Sequence, residues 1–392
     1  MFLTIVIFVA ILSLLVFAHE IGHFFTARKF GIRVDEFGFG LPPRVIGLVF
    51  LSAKKKIRFL FGNRELKAEN ETEQTGTIYS LNLIPVGGFV KIKGENGEAA
   101  GDRDSFASKA IWRRVSVLAA GVIMNLFLCA LILIIGFIIG LPSAVSGQMS
   151  GAIVSDNNIQ VVEVLKGTAA EQAGLKPGDI INGVDGKTFG SIEELQKYLS
   201  GRADQLISLK LTRNTESLTK ELLVQKYQAV TGIGVALVET AIVRYPWYLA
   251  IWQGIKATFF WLVAIILAFA SIIKNLVLGQ PIGIEVAGPV GIAVMTGQAA
   301  RLGLVYVLQF TALLSLNLAI INILPFPALD GGRILFLVIE KIRGRAVKQQ
   351  LENLIHNIGF ALLMLLIVFV TYRDIIRYGG KIFGVFKNLV GI

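Results

Sequence analysis

Four long stretches of this 392-residue chain carry no Asp, Glu, Lys or Arg. A bilayer's hydrocarbon core needs about 20 apolar residues to be crossed by a helix. Met1 to Ala18 is uncharged, and its apolar pattern continues through His23 to Phe25; Val115–Leu141, Leu302–Leu329 and Leu354–Tyr372 follow. Backbone inside lipid must satisfy its own polar groups, so each stretch is expected as a helix. A fifth stretch, Ala257 to Ile273, is apolar enough to span as well. Composition agrees: 54% of residues are hydrophobic and 17% charged, where soluble domains carry about 25% charge. The first stretch does not read as a cleaved signal. It has no basic leading region and no small-residue cleavage pattern, and it contains HEIGH. Cys129, alone within VIMNLFLCALILII, excludes a disulfide framework and a thiolate metal site.

Charge orients the spans. Residues 28–114 hold 16 Lys and Arg against 10 Asp and Glu, whereas 142–228 hold 9 against 10. Arg28, Lys29 and Arg33 follow the first span, and Lys109, Arg113 and Arg114 precede the second. By the positive-inside rule 28–114 is cytosolic, while the N-terminus and 142–228 lie outside. Lys341, Arg343, Arg345 and Lys348 place the loop before the last span in the cytosol too. The net charge of +11 is thus assigned to membrane orientation, with no nucleic-acid partner.

The outer segment has the texture of a small folded domain. Short β-rich runs (IQVVEVL, LISLKLT, KELLVQK) alternate with turn residues and one helical stretch, SIEELQKYLSG. GTAAEQAGLKPGDIINGVDGK reads as a short helix ended by Gly174, a turn at Pro177–Asp179, a strand, and a hairpin turn at Asp185-Gly186. That string resembles a PDZ domain, in one copy. In the cytosolic segment, FGFGLPPRVIG and IYSLNLIPVGGFVKI predict a small antiparallel sheet, whose glycines suit backbone lying close to another surface.

The chemistry is concentrated in HEIGH. His19 and His23 are four residues apart, so on a helix both imidazoles share one face and present two nitrogens to one zinc ion. Glu20 is placed to act as general base on a water activated there. Ionisable side chains at membrane depth are costly and mark function by default. A catalytic zinc takes a third protein ligand. His356, in LENLIHNIGF, is one candidate, although a histidine there also suits the membrane interface. Asp330 is the better one: it ends an uncharged run in NILPFPALDGGR, where Pro325 and Pro327 interrupt the helix. An aspartate there also suits an N-cap of GGRILFLVIEKI, and the two roles are compatible.

HEIGH in the first span, the GFG and PVGGFVKI strings, a PDZ-like segment after the second span, and NILPFPALDGG together resemble the site-2 protease family of intramembrane zinc metalloproteases. The bacterial regulator-of-sigma-E protease type is the most similar. The resemblance covers nearly the whole chain. It implies His19, His23 and Asp330 as ligands of Zn2+, Glu20 as catalytic base, and Asn322 in contact with substrate. Asn317, in SLNLAIIN, falls at a further substrate-binding position of the family. The best-known members carry two tandem PDZ domains, and this chain has room for one.

The expected fold is a multi-pass α-helical membrane protein of about four transmembrane helices. An extracytoplasmic α+β PDZ domain is inserted, and a small cytosolic, membrane-associated β-sheet lies between the first two spans. Residues 1–27 form the first span, 28–111 the β region, 112–141 the second span and 148–238 the PDZ domain. Residues 302–341 form the third span with the LDG motif, and 354–373 the fourth. Zinc requires His19 and Asp330 at one depth, which a single crossing by 257–273 would prevent; 247–300 is therefore expected as an amphipathic or re-entrant region, or as a pair of crossings.

The expected activity is hydrolysis of peptide bonds within or beside transmembrane segments of membrane proteins in the cell membrane, with anti-sigma factors or signal-peptide remnants as substrate types. The active site is expected towards the cytosol. The PDZ domain is expected to meet a peptide or a folded outer domain, by excluding bulky substrates or, through TGIGV at 231–235, by holding a chain end. Two rivals stand beside this reading. An inactive scaffold would need no HEIGH or Asp330, and a metal transporter would need ionisable groups along a path that these spans lack.

Overall fold

In the computed structural model, residues 2–51, 56–62, 76–144, 150–213, 216–227, 230–280 and 287–390 are described. In chain order the elements begin with α1 (Phe2–Lys29), β1 (Val34–Leu51), β2 (Lys56–Phe61), β3 (Ile78–Ile92) and α2 (Ile111–Ile139). Then come β4 (Leu141–Ala144), β5 (Ile153–Val164), α3 (Ala169–Gln172), β6 (Ile180–Val184), α4 (Ile192–Ser200), β7 (Leu206–Arg213), β8 (Glu216–Leu223), β9 (Gln225–Tyr227), β10 (Val230–Gly232) and β11 (Val235–Arg244). Five helices close the chain: α5 (Trp247–Val277), α6 (Pro289–Leu302), α7 (Leu304–Ile323), α8 (Asp330–Arg343) and α9 (Gln349–Val390). Two compact units result, one of residues 1–132, 256–301 and 310–392, the other of 133–255 and 302–309.

Among the described residues, five helices are long and apolar enough to cross a membrane: α1, α2, α5, α7 and α9 through Gly379. That is one more than the sequence suggests. The difference is α5, which lies in the region expected as amphipathic or re-entrant, or as a pair of crossings. It is one unbroken helix of 31 residues, about 46 Å at 1.5 Å per residue. Trp252, Phe259, Phe260, Ile266, Leu267 and Ile273 are exposed along it, and none of its most apolar stretch is buried. Such an all-round apolar surface suits lipid more than an interface. Within 302–341, residues 324–329 separate α7 from α8.

In the first unit, α6 settles the direction of α7 relative to α1. A Cβ on Gly297 would lie 2.7 Å from Thr4 in the first turn of α1, and Gly291 N–H donates to the buried Asp374 carboxylate at 2.6 Å. The next helix, α7, ends with Asn322 beside His19. Hence α7 runs parallel to α1, as the parity of the spans demands, whatever path α5 takes.

The sheet of this unit is interlocked. β1 pairs antiparallel with β2 and β3. Glu36 of β1 is opposite both Lys91 and Ile78, and Phe39 opposite both Gly88 and Leu81. The two arms of β3 therefore clasp the first half of β1, and Ile46–Val49 then pair with the outer side of the Ile78–Leu81 arm. The Gly88–Ile92 arm lies against α1: a Cβ on Gly87 would sit 3.2 Å from Val16, and one on Gly88 3.9 Å from Glu20. Close backbone approach is what the glycines of PVGGFVKI provide.

The second unit contains a six-stranded sheet in the order β4-β11-β5-β6-β7-β8. Its core gathers Val161, Leu195, Ile207, Leu209, Leu211 and Ile233. Both small helices start with reciprocal caps. Thr168 Oγ1 accepts from Glu171 N–H while Glu171 accepts from Gly167 N–H, and Ser191 and Glu194 repeat the pattern at Gly190. Asp179 is fully buried, accepting two hydrogen bonds from Arg213, both at 2.6 Å, and one from Lys176 N–H. Removing one partner of a buried ion pair leaves an uncompensated charge, at a cost of about 3 kcal/mol. Arg213→Met is therefore expected to speed amide exchange at Val161 and Leu211 in the intact protein roughly 100-fold. Unchanged exchange would remove this pair from the determinants of the unit's stability.

Candidate metal centre

His19 and His23 lie on α1, one turn apart on the same face, and both are 7% exposed. Their Nε2 atoms are 3.1 Å apart. Asp330 Oδ2 lies 3.0 Å from His19 Nε2 and 3.4 Å from His23 Nε2. A tetrahedral zinc with ligand bonds of 2.0–2.1 Å places its ligand atoms about 3.3 Å apart. The three donors therefore have the spacing that the ion requires. The chemistry of the set fits too: two imidazoles and one carboxylate are a catalytic donor set with one position left for water or substrate. Asp330 Oδ2 is buried without a hydrogen-bond partner, as suits an atom whose partner is a cation.

Close packing of α2 backs the two histidines. A Cβ on Gly121 would come within 2.5 Å of His19 Cε1 and of His23 Nε2, so a larger residue would push into the ligand atoms. Gly22 of α1 reciprocates, with its backbone against the carbonyl of Ala120. Small residues bring membrane helices together in this manner. The close approach delivers an outer contact: His23 Nδ1–H donates to Val117 O at 2.8 Å, which leaves the Nε2 lone pair free for metal. On the other ring, Asn125 Nδ2 lies 3.3 Å from His19 Nδ1.

Asp330 arrives by a tight reversal. The backbone of Gly331 is jammed against the carbonyls of Ile323 and Leu324, and that of Gly332 against Phe326 O. The N-cap of α8 is Leu329, without a side-chain cap; Asp330 is the first helical residue, and its carboxylate turns to the histidines instead of capping. His356 is not part of the donor set. Its Nδ1 accepts from Ala328 N–H at 2.9 Å, where Ala328 has a left-handed φ of 79°, and so it braces the loop that carries Asp330. Gly359 on the same helix packs against Pro327.

Two cavities flank the donors. One of about 220 Å³ is lined by Val16, His19, Glu20, Leu318, Asn322 and Asp330, among others. A second, of about 150 Å³, includes Glu20, His23, Phe89, Glu95 and Leu118. Glu20 and both His19 and Asp330 line the two of them. Asn322 Nδ2 comes 3.5 Å from His19 Nε2. Asn317 lines neither cavity: its amide donates to Leu313 O, one turn back in its own helix. The second cavity's loop is tied down by ions. Glu95 pairs with Arg333 of α8, and Lys93 with Asp102 and Asp104 at 2.7 Å. Those two carboxylates hold the Lys93 ammonium above its ordinary value.

Sequence reasoning missed Gly121, Asn125 and the bracing role of His356. Gly121 and Asn125 sit in an apolar run with no motif around them. Their only signal is a period: Val117, Gly121 and Asn125 recur every four residues, on one face of α2.

The chain matches the model of peptidase family M50 over residues 7–62 and 56–366. It is 30% identical to the regulator of sigma-W protease RasP of Bacillus subtilis, over 95% of this chain and 98% of that one. It is also 30% identical to the zinc metalloprotease RasP of Bacillus licheniformis, over 95% and 99%. A solved PDZ domain of an SdrC-like protein from Listeria monocytogenes is 20% identical over 22% of this chain and 92% of its own, with a TM-score of 0.20. The donor set and the extent of these matches agree: the chain belongs to peptidase family M50, the site-2 proteases.

Proposed function

We propose that this chain is a zinc metalloendopeptidase that hydrolyses peptide bonds within or beside the transmembrane segments of other membrane proteins. The observation that carries the reading is the donor triad, with ligand atoms 3.0–3.4 Å apart: His19 and His23 lie on α1, which is long and apolar enough for a bilayer, and Asp330 begins α8, just after a second such helix, α7. An inactive scaffold has no need of such a triad beside a glutamate, and a transporter would need further ionisable groups along a path through the spans. Zinc held there supplies Lewis acidity, which polarises a carbonyl and makes water nucleophilic at neutral pH. Glu20, next to the first ligand in sequence and lining both cavities, takes the proton of the attacking water and returns it to the leaving amine. Asn322, in the larger cavity, is placed to donate from its amide to substrate backbone.

A helix hides its peptide bonds, so a substrate must be unwound to be cut. The Gly88–Ile92 arm of β3 supports a route, since it pairs with β1 on one side and runs beside Glu20 on α1. An extended substrate segment added to its other side would exchange intrahelical hydrogen bonds for strand pairing. The name of the Bacillus subtilis relative, a regulator of sigma-W protease, supports anti-sigma factors as one substrate type.

In orientation, the active site is assigned to the cytosolic side and the PDZ-like unit to the outside, on the excess of Lys and Arg in 28–114. The outer unit is assigned as a filter that rejects substrates with large folded outer domains. Its two ends, β4 and β11, pair with each other through Leu141–Ala144 and Thr240–Val243, so the chain enters and leaves it on neighbouring strands.

Glu20→Gln is expected to retain zinc and lose cleavage by at least about 100-fold, the scale of a lost general base. Asp330→Ala is expected to lose zinc, and His356→Ala to retain it. Metal content and cleavage of a model membrane substrate check all three; cleavage by Glu20→Gln at the wild-type rate removes it from the mechanism, and zinc loss confined to His356→Ala moves the third ligand. With Cys129 buried, a cysteine introduced at Ser217 is expected to label from outside the cell, and one at Asp102 only after permeabilisation. Labelling of both from one side contradicts the orientation. Deleting 150–228 behind a short linker is expected to extend cleavage to bulky substrates; loss of all cleavage by the folded, zinc-loaded deletion would reverse the filter into a recruiter.

A further inference from the structure

Asn125 is fully buried in α2. Its backbone carbonyl accepts from Ser315 Oγ of α7 at 2.8 Å, and its side chain faces α1, with Nδ2 3.3 Å from His19 Nδ1. Its Oδ1 is buried without a hydrogen-bond partner. A primary amide buried beside a ligand ring, with its acceptor unused, calls for an explanation.

The two ligand histidines differ in one respect. Each turns Nε2 towards Asp330. To give that lone pair to a metal, a neutral imidazole must carry its proton on Nδ1, and the Nδ1–H needs an acceptor. His23 has one in Val117 O. For His19 the polar group at Nδ1 is Asn125. With its NH2 forward, Asn125 donates to Nδ1, which forces the ring proton onto Nε2, towards Asp330. After a half-turn of the amide, the unpaired Oδ1 comes forward and accepts Nδ1–H. The two ends of an amide have nearly the same shape, so this rotation needs no repacking.

We propose that Asn125 is the positioning residue for His19: in the metal-loaded protein its Oδ1 accepts the His19 Nδ1–H and holds the ring in the tautomer whose Nε2 faces zinc. The proposal rests on the reading of His19 as a ligand. It also explains why α2 must approach α1 as closely as Gly121 allows, because that packing brings both second contacts, Val117 O and Asn125, onto the two rings. A residue with only a packing role would be replaced without consequence by leucine, which has a similar volume and no acceptor.

The test is zinc affinity of the full-length protein in lipid or detergent, measured by competition with a chromophoric chelator. Asn125→Leu is expected to weaken zinc binding by about 10–100-fold, the usual scale for a lost outer-contact partner. Asn125→Asp, which keeps the shape and only accepts, is expected to bind zinc at least as tightly as the wild type. In the zinc-loaded wild type, the His19 Nδ1–H proton is expected as a slowly exchanging, hydrogen-bonded signal by NMR, lost in Asn125→Leu. Wild-type affinity in Asn125→Leu, or equal weakening in Asn125→Asp, would overturn the proposal. Should Asn125→Leu fail to fold, the wild-type signal decides, and a freely exchanging Nδ1–H would overturn it. His19→Ala separates the two levels of inference: if it keeps wild-type zinc affinity, the ligand assignment itself fails, whatever Asn125 does.

Discussion

Three donor atoms converge to within 3.4 Å of one another, two on the apolar helix α1 and one at the start of α8, directly after the apolar helix α7. Like-signed lone pairs do not gather in that manner unless a proton or a metal cation lies among them, and ionisable groups at membrane depth are expensive without compensation. Much of the surrounding structure is arranged to keep this gathering in place. Gly22 and Gly121 let two helices approach so that carbonyl and amide groups reach the rings. Gly331 and Gly332 let α8 turn back against the end of α7. His356 and Gly359 hold the reversal from α9. The glycines are thus distributed by a distance requirement at the donors.

The same requirement explains which parts were readable in advance. His19 and His23 are local: a spacing of four residues and a helical period suffice to put two nitrogens together. Asp330 was readable for a different reason, as a charge where lipid makes charges costly. Asn125, Val117 and Gly121 were not. Their importance comes from facing a helix that begins more than a hundred residues earlier in the chain, and an asparagine within an apolar run looks the same whether it faces a ring or lipid. Asn317 shows the converse. It stands near NILPFPALDGG in sequence, yet its amide is satisfied within α7.

In the sheet, strand content was legible and pairing was not. The alternating, glycine-rich strings mark β1 and β3, but nothing local says that β3 will fold back and clasp β1 on both sides. Pairings between distant segments are set by register and by the surface available, here the Val16–Glu20 side of α1. For 247–300, counting crossings left two paths open, an amphipathic or re-entrant region and a pair of crossings. What the count could not show is that α6 reaches the first turn of α1 before α7 begins. The caps of α3 and α4 and the Asp179–Arg213 pair give the second unit an internal stability of its own.

The long interval between the donors has a consequence for the order of assembly. His19 is made early, and α2, which supplies Val117 and Asn125, follows about a hundred residues later. Asp330 comes some 310 residues after His19. At synthesis rates of roughly 5–20 residues per second, the histidine pair waits about a quarter of a minute to a minute for its carboxylate. During that time α1 and α2 can already pack, with both rings held in place, but the donor set is incomplete. A nascent chain of this design is inert as a hydrolase until Asp330 has been made, so its unfinished site cannot cut neighbouring chains during that interval.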